Sequence, residues 1–116
     1  MEKIVENVAT CKITDKIAEI TINRPKQYNS FNKTLRVELK ALMDALEANE
    51  TVRVAILKGA GPGFSAGADL NEPFPPPISN HLKKDYLPIF ERIISSRLLY
   101  IAQVHGSAAG ISAGMA

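Results

Sequence analysis

The chain has no tryptophan, one cysteine and two histidines among its 116 residues. A lone thiol, Cys11, excludes an internal disulfide and a cysteine-built zinc site. It fits a reducing compartment, so a cytoplasmic location is expected. His81 and His105 form no His-x-x-x-His pattern and join no carboxylate cluster; no metal site is expected. Aromatic residues are scarce, 6% of the chain, and they are not interleaved with basic ones as a base-stacking surface requires. With a net charge of only +2, a nucleic-acid partner is not expected. No stretch approaches the roughly 20 apolar residues of a membrane span, and the acidic N-terminal residues carry no apolar run of a secretory signal. No G-x-x-x-x-G-K-[ST] exists, and Gly59-Ala60-Gly61 departs from G-x-G-x-x-G because position 64 is Phe. P-loop and dinucleotide-fold readings therefore fail on residues.

What remains is an ordinary globular composition, 46% hydrophobic and 22% charged, of a length that fits one domain at most. Thr10–Thr14 and Ile17–Ile22 alternate in the manner of strands, with Asp15-Lys16 as a tight hairpin turn between them. Arg24-Pro25 ends the second strand, because proline cannot donate to a ladder. Leu35, Leu39, Leu42 and Leu46, joined by Met43, form the stripe of a core helix over Asn32–Asn49. Val54–Leu57 reads as a short buried strand. Pro73 and Pro75–Pro77 exclude helix and central strand. Leu82, Tyr86, Ile89, Phe90 and Ile93 suggest a second helix, kinked or restarted at Pro88. Ile101–Val104 is a last strand. Two strands, a helix, a strand, a helix and a strand suit an α/β layered fold.

The most informative stretch is Phe64-Ser65-Ala66-Gly67-Ala68-Asp69-Leu70, which follows the strand and a glycine-rich turn, Gly59–Gly63. Small residues there let a backbone approach a ligand closely. Asp69 is a candidate N-cap for a following helix. Backbone N–H groups entering a helix suit negative charge, whether a phosphate or an oxyanion that appears only during reaction.

The same stretch, from Gly63, resembles the G-x-F-(S/C/A)-A-G-A-D-(L/I) signature of the crotonase superfamily, the enoyl-CoA hydratases and isomerases. Three further stretches are similar to that family in the right order. They are Ile20–Phe31, with its Asn23-Arg24-Pro25-Lys26 and Asn29, then Val52–Gly59, then Ala102–Gly110. The resemblance spans about Val8 to Ala116. It implies an α/β fold of the crotonase-like ββα spiral type, with residues 1–116 as its N-terminal portion and the C-terminal part absent. The chain's end inside a small apolar run accords with that expectation. The implied activity is acyl-CoA thioester binding with an enolate stabilised in a backbone oxyanion hole, by isomerase-like or hydratase (lyase) chemistry of fatty acid metabolism. Ala68 and Ile111 would donate the two N–H groups. Lys26, Gln27, Tyr28, Ala66 and Leu70 would contact coenzyme A or the acyl entrance. Coenzyme A would arrive as part of the substrate, with no separate cofactor, and the protein would be a homo-oligomer.

One departure matters. Gly114 stands where hydratases of this family carry a catalytic Glu, and glycine cannot move a proton. The short chain alone is therefore expected to be inactive, with any second acid beyond Ala116. A non-catalytic crotonase-like module, binding coenzyme A or serving as an interaction domain, is the alternative. A serine hydrolase using Ser65 is weaker. Gly63–Gly67 does satisfy G-x-S-x-G, but so does Gly110–Gly114, and a loop separates the strand from Gly63 where the nucleophile elbow needs none. On the family reading Ser65 has no chemical role, and Ser65→Ala is expected to do little. His105, where the family has Asn, is expected to hydrogen-bond local backbone.

Overall fold

A computed structural model describes residues 7–69, 82–106 and 108 of the chain. A four-stranded sheet forms its centre, in the order β1 (Ala9–Thr14), β2 (Ile17–Ile22), β3 (Val54–Gly59) and β4 (Leu99–Gln103). β1 and β2 are an antiparallel hairpin, with Thr14 opposite Ile17. Its two-residue turn puts Asp15 at φ 56°, a left-handed value that Asp and Asn tolerate better than most residues. β2, β3 and β4 run parallel, with Ala18 beside Ala55 and Ala55 beside Tyr100. Parallel neighbours need a crossover. Here the crossovers are α1 (Lys33–Ala48) between β2 and β3, and α2 (Leu87–Ser95) between β3 and β4.

α1 begins and ends where its sequence directs. The Asn32 side chain accepts a hydrogen bond from Leu35 N at 2.9 Å, the standard N-cap geometry. Leu35, Leu39, Met43 and Leu46 are buried, with Leu42 packed partly against the same core. They meet Ala18, Ile20, Ile22, Ala55 and Leu57 from the sheet. Fully burying a side chain of that size contributes about 1.5–3 kcal/mol, so this layer supplies most of the drive to fold. Past the C-terminus of α1, the Arg97 guanidinium donates to the carbonyls of Leu46, Glu47, Asn49 and Val52. Cations suit that negative helix end.

α2 starts after one loosened helical turn, Leu82–Tyr86, with Pro88 in its first turn. Proline's missing N–H costs nothing at that position, so the expected interruption is a restart. Tyr86 and Ile89 are buried. The Arg36 guanidinium lies 5.0 Å from the centre of the Tyr86 ring and donates to its hydroxyl at 3.2 Å. Both helices sit on one face of the sheet. The other face carries Ile17, Leu99 and Ile101, all exposed, beside half-buried Val54 and Ile56. β3 continues two residues beyond the expected Leu57, and β4 begins two before the expected Ile101, because Leu99 N already bonds Arg53 O at 3.1 Å.

Candidate active site

Three loops meet at the C-terminal ends of the parallel strands. The first follows β2. Pro25–Gln27 form a single 3-10 turn, after which Tyr28 and Asn29 both adopt left-handed backbone, at φ 55° and 56°. The reversal aims the Asn29 side chain inward, where the residue is only 1% exposed. Its Oδ1 accepts from Arg24 N at 2.8 Å. Its Nδ2 donates to the carbonyls of Ala60 at 2.7 Å, Gly63 at 3.0 Å and Phe64 at 3.2 Å. One amide thus gathers the whole glycine turn after β3. Gly59 must be glycine for this, since a Cβ there would lie 2.4 Å from Phe64 O and 2.9 Å from Asn29 Nδ2.

The second loop is the Phe64–Asp69 stretch. Phe64 is buried and anchors it in the core. Ala66 N donates to Tyr28 O at 2.9 Å, Phe31 N to Gly67 O at 2.7 Å, and Asp69 N to Phe31 O at 2.9 Å. Phe31 and Ala68 therefore form a short parallel bridge. In such a bridge the bonds go to the residues on either side of Ala68. A trans peptide holds its N–H opposite its C=O. The Gly67 carbonyl faces Phe31, so the Ala68 N–H points away from it. Among the described residues it meets no acceptor. Asp69 pairs with Arg24 at 3.2 Å, and Arg24 also donates to the Ser30 carbonyl and, at 3.1 Å, to its hydroxyl. Sequence reasoning offered Asp69 as a helix cap; the arginine partner, 45 positions away, was not visible locally.

The third loop follows β4. His105 Nε2 lies 2.7 Å from Gly61 O. A carbonyl only accepts, so this nitrogen carries the hydrogen. The expected backbone role for His105 holds, although the carbonyl belongs to a different loop. Gly106, at φ 60°, passes so close to the glycine turn that a Cβ would meet Pro62 O at 2.3 Å. Ala108 then bridges Ser65 in parallel.

Between the loops that follow β2 and β3 lies an open cleft of about 290 Å³, walled among the described residues by Tyr28, Pro62, Gly63, Ser65 and Ala66. Two of the residues singled out in the sequence, Tyr28 and Ala66, thus share a wall. Tyr28 stands 68% exposed at its edge. Lys26 and Gln27 are exposed on the turn just before it. Ala68 is two residues beyond Ala66 and half-buried. Leu70, Ile111 and Gly114 lie outside the described residues. No group of three His, Cys, Asp or Glu that could hold a metal occurs among the described residues.

Ser65 departs from its expected indifference. It is 1% exposed. Its hydroxyl donates to Asn29 O at 2.6 Å and accepts from Gly67 N at 3.1 Å. Replacing it by alanine would strand a buried carbonyl and a buried amide, each costing about 1–3 kcal/mol. The same bonds speak against a nucleophile. The hydroxyl proton is committed to a carbonyl, and the His105 ring nitrogen Nε2 is engaged by Gly61 O.

Four motifs in one site, each in the order of the signature, narrow the family, and an enoyl-CoA hydratase/isomerase family profile matches residues 12–116. The chain belongs to the enoyl-CoA hydratase/isomerase family. Among the family's members it resembles 1,2-epoxyphenylacetyl-CoA isomerase of Escherichia coli, at 33% identity over 106 residues, covering 86% of this chain and 40% of that protein. A solved enoyl-CoA hydratase/isomerase from Mycobacterium paratuberculosis superposes with a TM-score of 0.80 at 30% identity, over 92% of this chain and 45% of the other. An enoyl-CoA hydratase from Mycobacterium avium subsp. paratuberculosis gives 0.83 at 25% identity, over 98% and 45%. The fold is that of the crotonases. The chain spans about two fifths of the length of the curated relatives it matches.

Proposed function

We propose that this chain supplies one oxyanion donor and one wall of the coenzyme A site of an enzyme that stabilises a thioester enolate. The observation that carries the reading is the Gly67–Ala68 peptide. Its carbonyl is held by Phe31 N at 2.7 Å, and its N–H is turned outward without an acceptor among the described residues. A donor fixed before reaction costs no reorganisation when charge develops on a thioester oxygen. Ile111 would give the second N–H. Tyr28 and Ala66, in the cleft wall, with Lys26, Gln27 and Leu70, would hold the coenzyme A part of the substrate, and no separate cofactor is called on. Lys26 would meet a phosphate as a point charge. The reaction would be double-bond isomerisation or a related enolate step, with hydration second because Gly114 brings no general base. A homo-oligomer in the cytoplasm belongs to the same reading. No helix among the described residues is long and apolar enough to cross a membrane.

The competing reading is a binding module without turnover, favoured by Gly114. Turnover of a panel of enoyl-CoA thioesters by a full-length protein carrying this chain separates the two. Ala68→Pro, which removes one donor, should lower kcat by about 10²–10³-fold with thioester binding retained. Unchanged turnover in Ala68→Pro sinks the oxyanion assignment, and binding without any turnover in the wild type selects the module.

A further inference from the structure

We propose that the Ser65 hydroxyl is a positioning residue that aims the Ala68 N–H. This rests on the reading of Ala68 as a donor. It adds that the aim is set by a side chain the family signature leaves free to be Ser, Cys or Ala.

Gly67 is the reason a positioning group is needed. Its φ is 96°, a conformation glycine enters about as readily as its mirror image. The residue itself therefore has no preference that would fix the peptides on either side of it. Two bonds make the choice. The Gly67 N–H is held by Ser65 Oγ at 3.1 Å, and the Gly67 carbonyl by Phe31 N at 2.7 Å. The first locks the peptide entering Gly67 and the second the peptide leaving it. The second bond directs the Ala68 N–H, which runs antiparallel to the Gly67 carbonyl, and the first limits how far that peptide can swing about its own bond.

Ser65 can hold its part because it is itself held. Its proton goes to Asn29 O at 2.6 Å, which turns a lone pair towards Gly67 N. Asn29 in turn is fixed by Arg24 N and by the carbonyls of Ala60, Gly63 and Phe64. Ser65 is also tied across to the third loop by its bridge to Ala108. An alanine at position 65 would leave the peptide entering Gly67 without its anchor, while the Phe31 bond remained. The loop would keep its place and lose its single conformation.

The test reads the amide vectors directly, on a full-length protein carrying this chain and without substrate. Backbone ¹⁵N order parameters and residual dipolar couplings are measured for wild type, Ser65→Ala and Ser65→Thr, the last keeping the hydroxyl. In wild type, Gly67 and Ala68 should be as ordered as strand residues, about 0.85. In Ser65→Ala they should fall towards about 0.6, with Ile20 and Leu57 unchanged, and Ser65→Thr should restore them. An Ala68 vector that keeps its order and its coupling in Ser65→Ala overturns the proposal. If Ser65→Ala loosens the strands as well, Ser65→Cys, a weaker donor and acceptor, replaces it and the same comparison decides. Failure here is distinct from failure of the proposed function. The amide measurement does not depend on turnover, whereas full activity in Ala68→Pro would remove the donor role and leave Ser65 aiming an amide of no consequence.

Discussion

The helix-covered sheet and the loop cluster at its end hold together by opposite means. Between α1 and strands β2 and β3 the contacts are aliphatic and periodic: Leu35, Leu39 and Met43 on one side, Ile20, Ile22 and Leu57 on the other. No individual atom there has a unique partner. In the loop cluster, residues take left-handed backbone at Tyr28, Asn29, Gly61, Gly67 and Gly106, and named polar atoms face one another across tens of residues. The first region tolerates substitutions of similar volume. The second does not, because a buried polar atom that loses its partner has nothing to replace it. The wall of the cleft is built from the second kind.

That contrast can be broken by measurement. The largest loss of stability should follow Leu39→Ala, about 3 kcal/mol from lost burial and a cavity, read by urea unfolding. The loop geometry should be untouched where the variant is still folded. Asn29→Gly keeps the left-handed backbone and removes only the side-chain bonds. It should cost about 2 kcal/mol and release the glycine turn, seen as faster amide exchange at Ala60–Phe64. If Asn29→Gly proves milder than a surface change, the loop cluster is held by its backbone alone and the contrast fails.

These two positions also mark what could be read in advance. α1 was legible almost to the residue, since a stripe of leucines between two asparagines encodes both its face and its caps. The hairpin was legible from Asp15-Lys16 and from alternation that is weak over Thr10–Thr14 and clear over Ile17–Ile22. The restart at Pro88 was legible from proline's missing donor. Asn29 was not. Locally it looks like one more cap candidate, and its role exists only because Ala60, Gly63 and Phe64 arrive from the far end of the next strand. The buried bonds of Ser65 were not legible for the same reason: its partners, Asn29 O and Gly67 N, are set by the fold. Lys26, Tyr28 and Ala66 came from resemblance, and two of them do share the cleft wall.

A smaller effect sharpens the comparison from the apolar side. Asn32→Ala removes the cap of α1 and should cost about 1 kcal/mol, visible as lost helicity in its first turn by amide exchange. The smallest change concerns Tyr100 on β4. Among the described residues its hydroxyl is the buried side-chain polar atom without a partner. Burial, above all, pushes its pKa up to about 12. The raised value means that the folded state keeps a proton the unfolded chain gives up near its usual value of 10. The corresponding stability is fully present below about pH 10 and lost as pH rises through about 12. Tyr100→Phe should leave stability at neutral pH unchanged or slightly higher and flatten the alkaline decline in a pH series of unfolding curves. A marked loss at neutral pH would mean that the hydroxyl has a partner after all, and that the apolar half is less indifferent to single atoms than the loops suggest.

The two crossovers through α1 and α2 step across the sheet in the same direction and on the same face, so they share one hand. A staircase of this kind has an inside and an outside. Any further step of the same hand beside β4 would set its helix next to α2 and leave the outer tread bare. Ile17, Val54 and Leu99 form one row of that tread, and Ile56 and Ile101 the next. Among the described residues the winding puts both helices on the opposite face, so those rows are left to solvent by the direction of the two steps rather than by a shortage of helix.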